Sequence, residues 1–217
     1  MSEPAIMITA ADKAEGFASG SPMITPTART GIKEPREHSD KAEGFASGSP
    51  MITPTAWTGI KEPREHSDKA EGYAQFLEQV TYYIEASPHE VSVMANISAA
   101  LRETFGFFWV GFYLVRNEEL ILGPFQGSMA CTTIKYGRGV CGTAWQRKQS
   151  IVVADVEQFP GHIACSSLSR SEIVVPLISE GEVKAVLDID SDSLAAFDET
   201  DRQALEQLAA LIAKQIY

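Results

Sequence analysis

Residues 171–191 read SEIVVPLISEGEVKAVLDIDS. Two runs rich in β-branched residues, 172–178 and 183–189, flank the polar Ser179, Glu180, Gly181 and Glu182, the pattern of two antiparallel strands joined by a hairpin. Asp188 and Asp190 interrupt the otherwise apolar Val183, Ala185, Val186, Leu187 and Ile189. Acids are poor strand formers unless they are needed where they stand, and a spacing of two puts both on one face of the strand. Glu172, at the mouth of the first strand, is a third carboxylate that this hairpin can bring to the same place.

Upstream, Tyr73, Phe76, Leu77, Val80, Tyr83 and Ile84 recur at helical spacing until Ser87 and Pro88, and residues 91–105 form a second helical pattern around Met94, Ile97 and Leu101. Residues 107–115 and 120–125 are aromatic and β-branched runs separated by Arg116, Asn117, Glu118 and Glu119, which predicts another hairpin. Ile151–Val153 supplies a fifth strand. Downstream, Asp198 is placed to cap a helix whose apolar face is Leu205, Leu208, Ala209, Ile212 and Ile216. The order ααβββββα predicts an α+β fold, a single antiparallel sheet backed by helices from both ends of the domain.

That domain is expected to span residues 68–217, a length that suits one core. Before it, residues 12–39 recur as residues 40–67 with one change, Arg29 to Trp57. Each copy contains several Gly and Pro residues, few large apolar ones and no periodicity that would stack a solenoid, so residues 1–67 read as a flexible tail carrying a tandem duplication. The 217 residues are 44% hydrophobic, ordinary for a globular protein, with a net charge of -11. That balance, with no Lys/Arg-rich run, argues against a nucleic-acid partner. The acidic Glu3 and the short apolar patch after it do not read as a signal peptide, and no apolar run approaches the ~20 residues of a membrane span. The expectation is a cytoplasmic protein without a membrane partner.

The only cysteines, Cys131, Cys141 and Cys165, fall in three Gly-containing contexts, GSMACTTI (127–134), GRGVCGTAW (137–145) and FPGHIAC (159–165). In a reducing compartment such clustering points to catalytic, redox-sensing or metal-binding thiols, against the bland alternative of small buried fillers. Spacing alone does not rank the three.

These contexts, together with WVGFY (109–113), SEIV (171–174) and VLDIDS (186–191), resemble the free methionine-(R)-sulfoxide reductases, a branch of the GAF-domain superfamily. The likeness covers roughly residues 73–217 and leaves the duplicated tail outside. It implies a six-stranded antiparallel sheet, so that a strand is to be sought between Gly127 and Tyr136. It also implies a homodimer and an enzyme recycled by thioredoxin, with no bound cofactor and no metal. Cys165 would attack the sulfoxide sulfur, Cys131 would resolve the resulting sulfenic acid as a disulfide, and Cys141 would be an accessory thiol.

Sulfoxide reduction also needs an acid for the departing oxygen. Glu172, Asp188 and Asp190 crowded together would raise one another's pKa, so that one carboxyl stays protonated near neutrality. By the resemblance Glu172 and Asp190 serve oxygen activation and Asp188 binds the substrate's ammonium. Trp109 and Tyr113, four apart on one strand face, would wall the methyl and sulfur, although strand aromatics are more often plain core. The Gly-rich 137–142 stretch offers backbone N–H groups for a carboxylate and lacks the Lys-Ser/Thr ending of a phosphate loop. Two rivals stand beside this reading. One is a zinc site of Cys131, Cys141, Cys165 and His162, although the ten-residue gap between the first two is long for a zinc knuckle. The other is a non-catalytic GAF module that binds a ligand or senses redox state.

Overall fold

The hairpin of residues 171–191 forms the middle of the observed sheet. The computed structural model describes residues 6–8, 69–162 and 167–217. The chain divides into two units, Met1–Glu15 with Ile60–Tyr217, and Gly16–Gly59; every described residue belongs to the first. The duplicated segment, residues 12–67, lies outside the described residues.

In chain order the elements are β1 (Ile6–Ile8), α1 (Lys69–Ala86), α2 (Glu90–Phe105), β2 (Trp109–Arg116), β3 (Glu119–Gln126), β4 (Thr133–Lys135), α3 (Gly139–Arg147), β5 (Ile151–Val153), β6 (Ser171–Ser179), β7 (Glu182–Ser191) and α4 (Glu199–Ile216). The strands form one sheet in the order β1-β5-β6-β7-β2-β3-β4. Strands β2 to β7 pair antiparallel throughout, as the α+β reading predicts. β4 is the strand missed between Gly127 and Tyr136: at three residues, with only Ile134 buried, it is too short for an alternation to stand out. β1, within the stretch read as a tail, adds a short parallel edge to β5.

Both hairpin turns are tighter than their four polar residues suggest. Asn117 and Glu118, and likewise Glu180 and Gly181, all have positive φ, the two-residue turn whose twist matches that of the flanking strands. Between Gly111 and Tyr113 the register of β2 against β3 slips. Pro124, which lacks a backbone donor, sits in β3 at that irregularity, where the ladder is already broken.

The sheet is buried on both faces. Val110, Phe112, Ile173, Val175, Leu177, Leu187 and Ile189 are buried and by alternation share the face on which α2 and α4 pack. α4 is started by a capping box in which Asp198 accepts from the Thr200 and Asp201 amides while Asp201 accepts from the Asp198 amide. The Tyr73 hydroxyl donates to Asp201 at 2.8 Å, and Lys69 pairs with Asp198 and Asp201, fastening α1 to α4. The other face carries Trp109, Tyr113, Val174 and Val186, and against it lie Val140, Cys141 and Ala144 of α3 in one buried cluster.

α3 comes this close because Gly142 has no side chain: a Cβ there would stand 2.4 Å from the Lys135 carbonyl oxygen. Ala is ordinarily better than Gly inside a helix by up to about 1 kcal/mol. Here the clash is with backbone, so Gly142→Ala should instead lower stability by roughly 1–3 kcal/mol, measured as a reduced urea midpoint. A midpoint that rose would show that α3 can lift off β4 without cost.

Candidate active site

Strand register assembles the acidic residues. Glu172 of β6 stands beside Asp190 of β7, and Val174 beside Asp188. On the other side of β7, Asp188 faces Gly111 and Asp190 faces Trp109 of β2. Directly paired residues share a sheet face, so three carboxyls point to the side that α3 covers. Cys141, in the first turn of α3, meets them there: its Sγ and one oxygen each of Glu172 and Asp188 all lie within 4.8 Å of one another, and all three residues are buried. Asp188 lies between Cys141 and Glu172 in this cluster, and its Oδ1 is buried with no hydrogen-bond partner.

Burial sets the protonation of this cluster, and mutual repulsion reinforces it. Glu172 is held well above the usual carboxylate range by burial, then by the charges of Asp188 and Asp190. Asp188 is raised by burial and by Asp190, with the hydrogen bonds from Cys141 and Glu172 acting the other way. Asp190 is pushed up to about 6 by burial, moderated by a hydrogen bond with Ser169. Among the described residues no lysine or arginine forms an ion pair with any of the three. The Cys141 thiol is likewise pushed well up, by burial first and then by Asp188 and Glu172. It is a neutral hydrogen-bond donor rather than a nucleophilic thiolate. The His162 ring stands 3.9 Å from Glu172 Oε2, and burial lowers its pKa, so the two meet as neutral groups and not as an ion pair.

The aromatic pair also has a structural task. Trp109 and Tyr113 are buried and stacked with ring centroids 6.2 Å apart, and Phe125 stacks on Trp109 at 5.4 Å. The Trp109 indole N–H donates to the Ser128 carbonyl at 3.0 Å and the Tyr113 hydroxyl to the Cys131 carbonyl at 3.1 Å. The two rings therefore hold the loop that carries Cys131. Two glycines make room for the indole: a Cβ on Gly127, whose φ is +146°, would approach Trp109 Cδ1 to 2.2 Å, and one on Gly111 would meet the same ring at 2.6 Å.

Of the residues singled out in the sequence, Trp109, Tyr113, Cys141, Glu172, Asp188 and Asp190 come together, and Cys131 joins them through Tyr113. Cys131 is disulfide-bonded and Cys141 is a free thiol. The remaining cysteine, Cys165, lies outside the described residues. A disulfide-bonded Cys131 cannot serve the zinc site of Cys131, Cys141, Cys165 and His162. Nor is the Gly-rich turn as open as its composition suggests. The amides of Gly137, Arg138 and Gly142 are spent on the carbonyls of Gly142, Lys135 and Arg138. Sequence reasoning missed Ser169 and weighed His162 only as a metal ligand; their sole signal is nearness to Cys165 and Glu172 in the chain. A separate cleft of ≈ 460 Å³, lined by Lys69, Tyr73, Arg102, Phe105 and Phe197 among others, contains none of the predicted site residues.

Residues 89–216 match the family model described as GAF domain. The chain is 56% identical over 137 residues to GAF domain-containing protein A of Dictyostelium discoideum, covering 63% of this chain and 87% of the relative. It is 48% identical over 125 residues to free methionine-R-sulfoxide reductase of Escherichia coli, covering 57% and 76%. Among solved structures, that of free methionine-R-sulfoxide reductase from Neisseria meningitidis in complex with its substrate is similar with a TM-score of 0.69 at 52% identity, covering 71% of this chain and 94% of the other.

A carboxyl whose pKa is higher in the folded protein than in the unfolded chain is neutral where the unfolded chain is already charged. It therefore costs stability as pH rises from the unfolded value through the folded one. For Asp190 that window runs from the ordinary 3.8 to about 6. Asp190→Asn should accordingly unfold at higher urea than the parent near neutral pH, by up to about 3 kcal/mol, with the gain vanishing at about pH 4. An equal difference at both pH values would show that Asp190 is not held protonated by its surroundings.

Proposed function

We infer that this chain, which belongs to the GAF-domain family and within it to the free methionine-(R)-sulfoxide reductases, reduces free L-methionine-(R)-sulfoxide to methionine. The observation that carries the reading is the trio Glu172, Asp188 and Asp190, the first two buried and the third half-buried, on the sheet face that meets Cys141 and the aromatic pair. A protein gains nothing in stability from three uncompensated acids on one sheet face. A reaction that protonates an oxygen and binds an ammonium uses them all.

In the proposed sequence the Cys165 sulfur attacks the sulfoxide sulfur while Glu172 or Asp190 donates a proton to the S=O oxygen. The oxygen is transferred to Cys165, which becomes a sulfenic acid, and methionine leaves. Cys131 then attacks Cys165; a Cys131–Cys165 disulfide forms and the oxygen departs as water. Thioredoxin, the external dithiol, reduces the disulfide and is itself oxidised, returning both thiols. The Asp188 carboxylate receives the substrate's ammonium, and Trp109 and Tyr113 face the methyl and sulfur. This division of labour is supported by the disulfide-bonded Cys131 beside a neutral, buried Cys141, which suits Cys141 to a supporting part rather than to attack. The whole cycle is proposed for a cytoplasmic homodimer.

The reduced protein, given one equivalent of sulfoxide and no external reductant, tests each role. Cys165→Ser should release no methionine. Cys131→Ser should release one equivalent and then fail to turn over with thioredoxin. Glu172→Gln should lower kcat by about 10²–10⁴, the usual worth of a positioned general acid. Full single-turnover yield from Cys165→Ser would overturn the assignment. Ligand binding without methionine release in the parent protein would instead favour a ligand-binding or redox-sensing module.

A further inference from the structure

Cys141 Sγ and carboxylate oxygens of Glu172 and Asp188 approach within 4.8 Å of one another inside the protein. They come from three separate elements, α3, β6 and β7. Zinc and related cations bind thiolate, imidazole and carboxylate at about 2.0–2.3 Å, which puts donors around one ion roughly 3–4 Å apart. Small side-chain rotations bring the three to that spacing. A second observation points the same way: Asp188 Oδ1 is buried and unpartnered, on the carboxyl at the centre of the cluster. His162 Nε2 stands 3.9 Å from Glu172 Oε2, at the margin of a donor set of one sulfur and two carboxylates.

We propose that Cys141, Glu172 and Asp188 form a binding site for one soft divalent cation of the zinc type, which takes the place of the substrate's ammonium and inhibits the enzyme reversibly. The ion gives Asp188 Oδ1 its missing partner and supplies positive charge to a cluster that no lysine or arginine among the described residues pairs with. On coordination the Cys141 thiol loses its proton to solvent, as a metal-bound thiol does. Binding of the ion rests only on the geometry; competition with substrate rests in addition on the proposed substrate site.

The disulfide form of the full-length protein isolates the effect, because Cys141 is then the free thiol. Titration with Co²⁺ should give one equivalent bound, with a thiolate-to-cobalt charge-transfer band in the near ultraviolet that Zn²⁺ abolishes by displacement. Cys141→Ser should lose that band, and Glu172→Gln should weaken Co²⁺ binding at least about tenfold, a loss that even outer partners of a metal ligand can cause. In turnover assays of the reduced protein, Zn²⁺ should raise KM with kcat unchanged, and EDTA should reverse it. A band that survives Cys141→Ser, or no stoichiometric Co²⁺ binding by the folded parent, overturns the metal site. Cobalt bound as expected in a protein that turns over no sulfoxide would leave the site standing and remove the substrate reading instead.

Discussion

Three carboxyls share one face of the sheet with no lysine or arginine among the described residues paired to them, and the arrangement of the rest of the site follows from that constraint. Burial alone would force such groups to neutralise. Their clustering means that ionising one raises the cost of ionising the next. Glu172 and Asp190 are directly paired across the β6–β7 ladder, and Asp188 is the next residue of β7 on the same face, so the fold itself enforces the crowding. Its stability cost is offset on the opposite face, where Val110, Phe112, Ile173, Val175, Leu187 and Ile189 are buried under the long helices. Each such side chain contributes about 1.5–3 kcal/mol when fully removed from water.

Trp109 and Tyr113 couple this acidic face to the thiols. As core residues they stack and fill space; through one polar atom each they also bind the Ser128 and Cys131 carbonyls. The loop bearing Cys131 is thus referenced to β2, and β2 is hydrogen-bonded to the strand carrying Asp188 and Asp190. The resolving role proposed for Cys131 asks its thiol to reach a partner in one geometry and leave the substrate room in another. Tying its backbone to rigid rings, and leaving its side chain to redox chemistry, meets both requirements. Gly111 and Gly127 are part of the same device, since any side chain at either would displace the indole.

Period-two alternation makes β6 and β7 legible, because both are long and flanked by polar turns, and the same period puts Asp188 and Asp190 on one face. The helices were legible from their apolar spacing and from Asp198 as a cap. β4 was not, since three residues with one buried position carry no period. The parallel pairing of Ile6–Ile8 with β5 is a non-local contact that no local pattern records. Meeting of Glu172 with the β7 acids across strands was a matter of register, set by the two-residue turn at Glu180 and Gly181 together with the one-residue shift between Leu177 and Ile178, without which Glu172 would pair with Ile189. The placement of Cys141 against those acids depends on α3 folding back over the sheet. That packing is encoded by one glycine whose importance shows only once the Lys135 carbonyl is seen beside it.

Cys141 is where these threads meet, and its chemistry differs from what its place among three clustered cysteines suggests. Desolvation and two acidic neighbours disfavour its thiolate, which removes the property that makes a cysteine an attacking group. What remains is a small, polarizable S–H group within 4.8 Å of an Asp188 oxygen, beside a carboxyl whose Oδ1 has no hydrogen-bond partner. A serine there would keep a donor but shrink it; an alanine would leave Asp188 with Glu172 as its remaining neighbour in the trio. The thiol is thus suited to positioning a carboxylate for an incoming cation, whether that cation is an amino acid's ammonium or a metal ion.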